Sequence, residues 1–499
     1  MDRRHFIRSS LASAVAASMP GSQALAASLL HVPTSVPGDI NAVTGDGAEI
    51  TLQRAAVQEL SDSLKGRLLL PDSAAYDQAR SLLQPIYDKH PAFVVQPTGA
   101  ADVQNAVDFA RDNSLLVAVK CGGHAAAGFS SCDKGMQIDL SQLRNARVDR
   151  AAKTARIAGG SLLGELDHEA MSHGLVTTAG TVSHTGVGGL TLGGGFGRLG
   201  RRFGMSIDNV LEMDVVTPDG KLRRASADQN PDLYWALRGG GGNFGVVTSF
   251  LFQLHEMQRD VITGYIAYPM AEARQVLNFY AEHSAKMPDE MSMGAGLGAR
   301  LGSEPAVGIN FVWSGDPAEA DKYVEPLRTA GTVVLENVKS MDYVAVQRSG
   351  DIDDTRAFTG HFKSGFINSI SSNLIDAIVD NFEAHPERGG RVGFAQIGGA
   401  IGRVGNSETA FASRDAQYVL MSFVGWDTNN DGAEHLKYIN EHWSKVHPFT
   451  NGFYVNDYFD HTQDMVKDTY GENFHRLLEI KQQYDPTNLF RLNANIKPA

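Results

Sequence analysis

Glycine is concentrated in three short stretches of this chain, at 122–123, 186–197 and 239–245, and each lies beside an apolar, strand-like run. Glycine accepts positive φ without steric cost and lets a ligand approach the backbone closely. Three such loops at strand ends therefore supply convergent main-chain amides, which suits the pyrophosphate of a dinucleotide. None of them has the strand, Gly-x-Gly-x-x-Gly, helix order of a Rossmann fingerprint, and none ends in the Lys-Ser/Thr of a phosphate loop. A nucleotide site built from them is of another kind. Any one loop alone reads equally well as turns and packing points; the three together favour binding.

The surrounding pattern is α/β. An apolar run at 93–97 closed by proline, a helical pattern at 101–113 and an apolar strand at 116–119 are followed by an alternating strand at 136–140. A strand pattern recurs at 148–157, a helix at 162–173, and a strand at 209–216 that turns back at Pro218-Asp219-Gly220. A short helix at 232–237 and a strand at 246–254 close this half. From 258 to 450 the glycine clusters disappear and amphipathic helices, such as 270–287 and 316–330, alternate with strand-like runs. That shift marks a second domain at 258–450, after a glycine-rich domain at 89–257 and an N-terminal segment at 27–88 with an amphipathic stretch around 52–69. A final segment, 451–499, contains Tyr454-Val455-Asn456-Asp457-Tyr458 and then a helix ending near Pro486.

At 499 residues the chain is large enough to bury more than one core, which favours an enzyme over a small binding module. Its net charge of −13, with the cations scattered, argues against nucleic acid or an anionic membrane as partner. Two cysteines, Cys121 and Cys132, exclude a disulfide scaffold and a four-cysteine zinc site, although one bridge between them is compatible with the count. No metal site is expected. Residues 1–26 have the form of a leader, with Arg3-Arg4 followed by Phe6-Ile7, a weakly apolar stretch and Ala24-Leu25-Ala26. Paired arginines in this setting match the twin-arginine signal of bacteria, a receptor-read address for proteins exported already folded. The expectation is a periplasmic or secreted protein with no membrane span after the leader.

In order, Val119-Lys120-Cys121-Gly122-Gly123-His124, Gly186-Val187-Gly188-Gly189 continuing through Gly193 to Gly197, Leu233 to Gly245, and Tyr484-Asp485-Pro486 with Asn488, Phe490, Arg491 and Asn493 form four motifs spread over several hundred residues. Together they resemble the berberine-bridge-enzyme-like oxidases of the vanillyl-alcohol-oxidase and p-cresol-methylhydroxylase superfamily. The resemblance implies an α+β fold: a two-part FAD-binding domain, and a substrate or cap domain whose antiparallel sheet is covered by helices, with the C-terminal segment returning to the FAD domain.

The resemblance also assigns roles. FAD is the cofactor, joined through its 8α-methyl carbon to His124. A second, cysteinyl tether found in many relatives is absent, because Val182 stands where that cysteine would be. The motifs place Lys120, Cys121, Gly122, Gly123, Gly128, Gly180, Thr181, Gly186, Val187, Gly188, Gly189, Gly194, Gly195, Gly197, Gly245, Val246, Val247, Asn456 and Asn493 against the cofactor. Val187, beside the flavin by this pattern, is small enough to admit dioxygen. Relatives often draw a catalytic base from an aromatic-x-Asn-Tyr motif. Here aspartate occupies the fourth position, so Tyr458 and Asp457 are the leading candidates, with Tyr454 behind them. If the segment is a strand, Tyr454, Asn456 and Tyr458 share one face and Asp457 takes the other, whereas a bulge would bring both sets to the flavin. Lys363, Gln396 and Arg414 are polar positions in the expected substrate cover.

The expected reaction is oxidation of a CH–OH group in a sugar, oligosaccharide or secondary alcohol, with dioxygen reduced to hydrogen peroxide. An amine or alkaloid oxidase, a dehydrogenase using a non-oxygen acceptor, and a flavoprotein that sequesters a small molecule are the alternatives.

Overall fold

The computed structural model describes residues 33–299, 304–351, 358–382, 389–457 and 462–498; the leader, and Tyr458 with it, lie outside the described residues. Three sheets organise the fold, which is α+β with mostly antiparallel pairing. The first sheet has the order Arg67–Leu69, Phe93–Gln96, Met136–Asp139, Val117–Lys120, and its last three strands run parallel. Helix Ala100–Asp112 crosses it, burying Val103, Ala106, Val107 and Ala110 at the three- and four-residue spacing of one helical face. Strand Met136–Asp139 is buried on both faces and does not alternate as the sequence pattern suggested, because a parallel strand inside an α/β layer is covered from both sides.

The second sheet is antiparallel, in the order Leu222–Ser226, Val210–Val216, Val246–Gln253, Thr154–Ala158, Ala146–Asp149. The single strand expected at 148–157 is instead a hairpin, turning at Lys153, which adopts positive φ. Phe250, Phe252 and Val215 of this sheet share a core with Val466, Tyr470, Leu477, Ile480 and Ile496 of the C-terminal segment.

The third sheet has seven antiparallel strands, in the order Leu335–Asp342, Asp260–Pro269, Ala306–Trp313, Met291–Ala299, Gly389–Gln396, Tyr418–Asp427, Phe358–Ile367. Its central strand Met291–Ala299 alternates cleanly. Met291, Met293, Ala295 and Leu297 face helices Ala273–Ser284 and Ser372–Asn381, while Ser292, Gly294 and Gly296 face the other way. The helix expected at 316–330 is three short turns, Pro317–Glu319, Ala320–Val324 and Glu325–Thr329, because Pro326 lacks the amide a continuous helix needs. Among the described residues no helix is long and apolar enough to cross a membrane.

Candidate active site

The open face of the seven-stranded sheet, the glycine loops of the other two sheets and the C-terminal segment enclose a cavity of about 940 Å³. That volume is near the top of the roughly 300–1,000 Å³ range of small-molecule and cofactor sites.

The loops that floor it are interlocked by their lack of side chains. After strand Val117–Lys120 the chain runs into Cys121-Gly122-Gly123-His124, and Gly122 crosses the backbone of Gly186 so closely that a Cβ on either would sit 2.3 Å from the other's nitrogen. The Cys121 thiol donates to the Gly159 carbonyl at 3.0 Å, fixing the same crossing. A Cβ on Gly197 would lie 1.5 Å from the Ala179 carbonyl oxygen, and Gly245 holds φ at +152° with Val216 behind it. By contrast, a Cβ on Gly189 or Gly242 would meet nothing within 4 Å; these two glycines border the open volume itself. A backbone-lined trough of this length, stripped of side chains along its floor, fits the extended dinucleotide that the glycine pattern called for.

His124 lies at one end of the trough. Its Nε2 is 2.7 Å from Nδ1 of His184, and its Nδ1 is 3.3 Å from the Thr185 hydroxyl. Burial, reinforced by the neighbouring His184, pushes its pKa down to about 4, so the imidazole is neutral near pH 7 and keeps a nucleophilic lone pair.

Residues 454–457 form one wall. Val455–Asp457 is a 3-10 turn, so the two-faced split that a strand would impose does not apply: Tyr454, Asn456 and Asp457 all line the cavity. The Tyr454 hydroxyl accepts from the Gly195 N–H at 3.0 Å and from Asn456 Nδ2 at 2.7 Å. Asn456 Nδ2 also donates to the Leu190 carbonyl at 2.9 Å. Burial holds the Tyr454 phenol well above the usual tyrosine range. Burial also pushes the Asp457 carboxyl up to about 6, within reach of neutral-pH proton transfer.

The cavity brings together most positions named from the sequence: Cys121, Gly122, Gly123, His124, Gly180, Thr181, Gly186, Gly188, Gly189, Gly197, Gly245, Val246, Val247, Asn456 and Asn493. Five others stand behind its wall. Lys120 turns away and donates to the Ala79 carbonyl at 2.6 Å. Gly128 supports a turn under the Tyr87 ring, Gly194 packs on Met205, and Gly195 braces Tyr454. Val187 inserts its side chain into the core of the second sheet, so its size does not shape the cavity wall and the oxygen-access argument lapses. Of the cover positions, Gln396 lines the cavity and Lys363 does not. Arg414 is a buried bidentate partner of Asp208, at 2.7 and 2.8 Å, and holds the 409–414 segment to the 204–209 loop. Cys121 and Cys132 are both free thiols.

Sequence reasoning missed His184 and Thr185, which touch His124, and the cap-sheet residues Ser292, Asn310 and Arg391, which line the opposite wall. Strand alternation puts these three on one face, but no local signal says that this face is the wet one.

Two family models match the chain, an FAD-binding domain over residues 91–226 and a berberine and berberine-like segment over 453–497. An FAD-linked oxidoreductase of Dictyostelium discoideum is 31% identical over 448 residues, covering 89% of this chain and 97% of that protein. A xylooligosaccharide oxidase of Thermothelomyces thermophilus is 27% identical, covering 94% and 99%. The crystal structure of 6-hydroxy-D-nicotine oxidase from Arthrobacter nicotinovorans superimposes with a TM-score of 0.80 at 27% identity, covering 88% of this chain and 99% of that one. Cradle, sheet order and relatives agree, and the chain belongs to the berberine-bridge-enzyme-like FAD-dependent oxidoreductases of the vanillyl-alcohol-oxidase superfamily.

Proposed function

We propose that the protein is an exported oxidase that carries FAD covalently on His124 and oxidises a CH–OH group of a small, hydroxylated molecule, with dioxygen as the electron acceptor. The observation that carries the reading is the half-buried Asp457, its carboxyl raised to about 6 by desolvation, in the same cavity as the glycine-lined cradle. Bound there, FAD supplies a two-electron acceptor for the substrate's hydride. The chain's own part is to hold the substrate and move its proton. Asp457, ionised above about pH 6, accepts the hydroxyl proton as the carbonyl forms. Asn456 and Tyr454 pin the 454–457 turn to Leu190 and Gly195, which keeps the carboxylate at a fixed distance from the trough. On the facing wall Ser292, Asn310 and Arg391 offer hydrogen-bonding groups, a surface matched to a polyol such as a sugar or oligosaccharide; the Gln396 amide is turned to the helix side, where it donates to the Ser284 carbonyl. The cavity-floor residues Cys121, Gly122, Gly123, Gly180, Thr181, Gly186, Gly188, Gly189, Gly197, Gly245, Val246, Val247 and Asn493 bind the cofactor, and the leader directs export through the twin-arginine route.

A second reading, oxidation of an amine, is favoured by the likeness to the nicotine oxidase and by the apolar groups Phe196, Val419 and Met421 in the same cavity. The two are separated by supplying sugars, oligosaccharides, secondary alcohols and cyclic amines to the purified protein while following flavin bleaching and peroxide. Bleaching with peroxide on the hydroxylated set supports the proposal. Bleaching without peroxide assigns a dehydrogenase, and turnover of amines alone assigns the second reading. Denaturation in acid, followed by mass spectrometry of the peptide containing His124, tests the covalent link; free flavin in the supernatant would remove it.

A further inference from the structure

Resting on the reading that His124 carries the flavin, we propose that His184 is the positioning base for that attachment: it takes the Nε2 proton of His124, which leaves Nδ1 as the nitrogen that bonds the flavin. His124 faces His184 at 2.7 Å through Nε2, with ring centroids 4.7 Å apart. This contact is within hydrogen-bonding distance and fixes which nitrogen is engaged. The Thr185 hydroxyl, 3.3 Å from Nδ1, is the weaker partner and the one an incoming group displaces.

A second observation bears on the same pair. Asp351, from the cap side of the cavity, accepts from the Ser183 N–H at 2.7 Å and from the Ser183 hydroxyl at 2.5 Å. Its negative charge interacts favourably with both His184 and His124. Asp351 thereby sets a carboxylate beside the histidine pair, where it offsets the charge that a proton transfer between them creates. The titratable groups set against one another here are Asp351, His184 and His124.

The Nδ1–C8α bond forms and one C8α–H bond breaks. The C8α proton and the His124 N–H proton, the latter by way of His184, are returned through solvent to the flavin, which takes up the two electrons of the C–H bond and becomes reduced. Dioxygen, the acceptor already invoked, restores the oxidised form and yields peroxide.

The test follows attachment itself. Full-length protein made without riboflavin is loaded with FAD, and acid-stable flavin is measured against time for the wild type, H184A, H184Q and H124A. Bound but extractable FAD and the melting temperature serve as the check on folding. The wild type is expected to attach FAD progressively near pH 7. H184Q, which keeps an acceptor but no base, is expected to attach it about a hundredfold more slowly near pH 7, the lower end for general-base assistance, and to speed up as pH rises. H184A is expected to be at least as slow. Equal rates in the wild type and H184Q across pH would overturn the proposal. So would linkage through Nε2 in the flavin-bearing peptide of the wild type, assigned by NMR, which needs no variant. Wild type that attaches no flavin at all would instead overturn the reading of His124 beneath it.

Discussion

Lys481 and Asp485 form an ion pair of 2.6 Å with both side chains at 0% exposure, one turn apart at the end of helix Asn473–Tyr484. The pair is a junction. Lys481 Nζ also donates to the carbonyls of Asn243 and Phe490, and Asp485 accepts from the Leu489 and Phe490 amides. It thereby ties the C-terminal segment to the Gly239–Gly245 loop that borders the trough. The aspartate of the Tyr-Asp-Pro motif is thus structural here.

Removing one partner strands the other charge in the core, which typically costs about 3–5 kcal/mol. D485A is expected to show a loss of that size in urea denaturation and to bind FAD weakly even where it folds. A change below about 1 kcal/mol would mean that water reaches Lys481 and that the junction is not closed.

Tyr454→Phe separates bracing from chemistry. The hydroxyl accepts two hydrogen bonds, and its removal leaves the Gly195 amide and Asn456 Nδ2 short of a partner, at a cost of about 1–3 kcal/mol. Activity is expected to fall by less than tenfold, through loosening of the 454–457 turn. A loss beyond a hundredfold in a variant that still melts cooperatively would make Tyr454, and not Asp457, the base.

Gly122→Ala tests the crossing of the two loops. The added methyl would lie 2.3 Å from the Gly186 nitrogen, and no flexible side chain is there to give way. The variant is expected to lose bound flavin before it loses its secondary structure, read as absorbance near 450 nm against far-ultraviolet circular dichroism. Gly47→Ala, at a site where a Cβ meets nothing within 4 Å but φ is +89°, serves as a control that carries backbone strain alone.

Much of the trough was legible because its residues act through their absence of side chains. Runs such as Gly186-Val187-Gly188-Gly189 announce backbone approach wherever they occur, and the motif order carried the rest. What they do not announce is direction. Val187 sits among cavity glycines yet points into the core, since its own amide is anchored to the Ser161 carbonyl and turns the side chain away. The aromatic and polar residues at 454–457 alternate in a way that is compatible with a strand and leaves the face of Asp457 open. Tertiary contacts override that pattern, as Asn456 reaches the Leu190 carbonyl 266 residues away and curls the backbone into a turn. His184 and Arg414 show the limit from both sides: one acts through a partner 60 residues distant, the other is neutralised by a partner 206 distant. Spacing along the chain encodes neither.

Asp457→Asn is the variant that bears most directly on mechanism. With its pKa near 6, the carboxyl is ionised and able to accept a proton above that pH. For the wild type, kcat/KM is expected to rise about tenfold per pH unit up to about 6 and then to level off. Asparagine keeps the shape but accepts no proton, so kcat should fall by about 10²–10⁴ and this limb of the profile should vanish. Stability should move the other way. Because the folded carboxyl binds its proton more tightly than the unfolded one, its contribution is present at low pH and is lost as pH rises from about 4 through about 6. D457N stays neutral throughout. It should therefore be the more stable protein above pH 6 and should converge on the wild type below pH 4. A variant that loses activity and stability together at pH 7 would show that Asp457 is held charged by partners, and would return the role of base to the tyrosines.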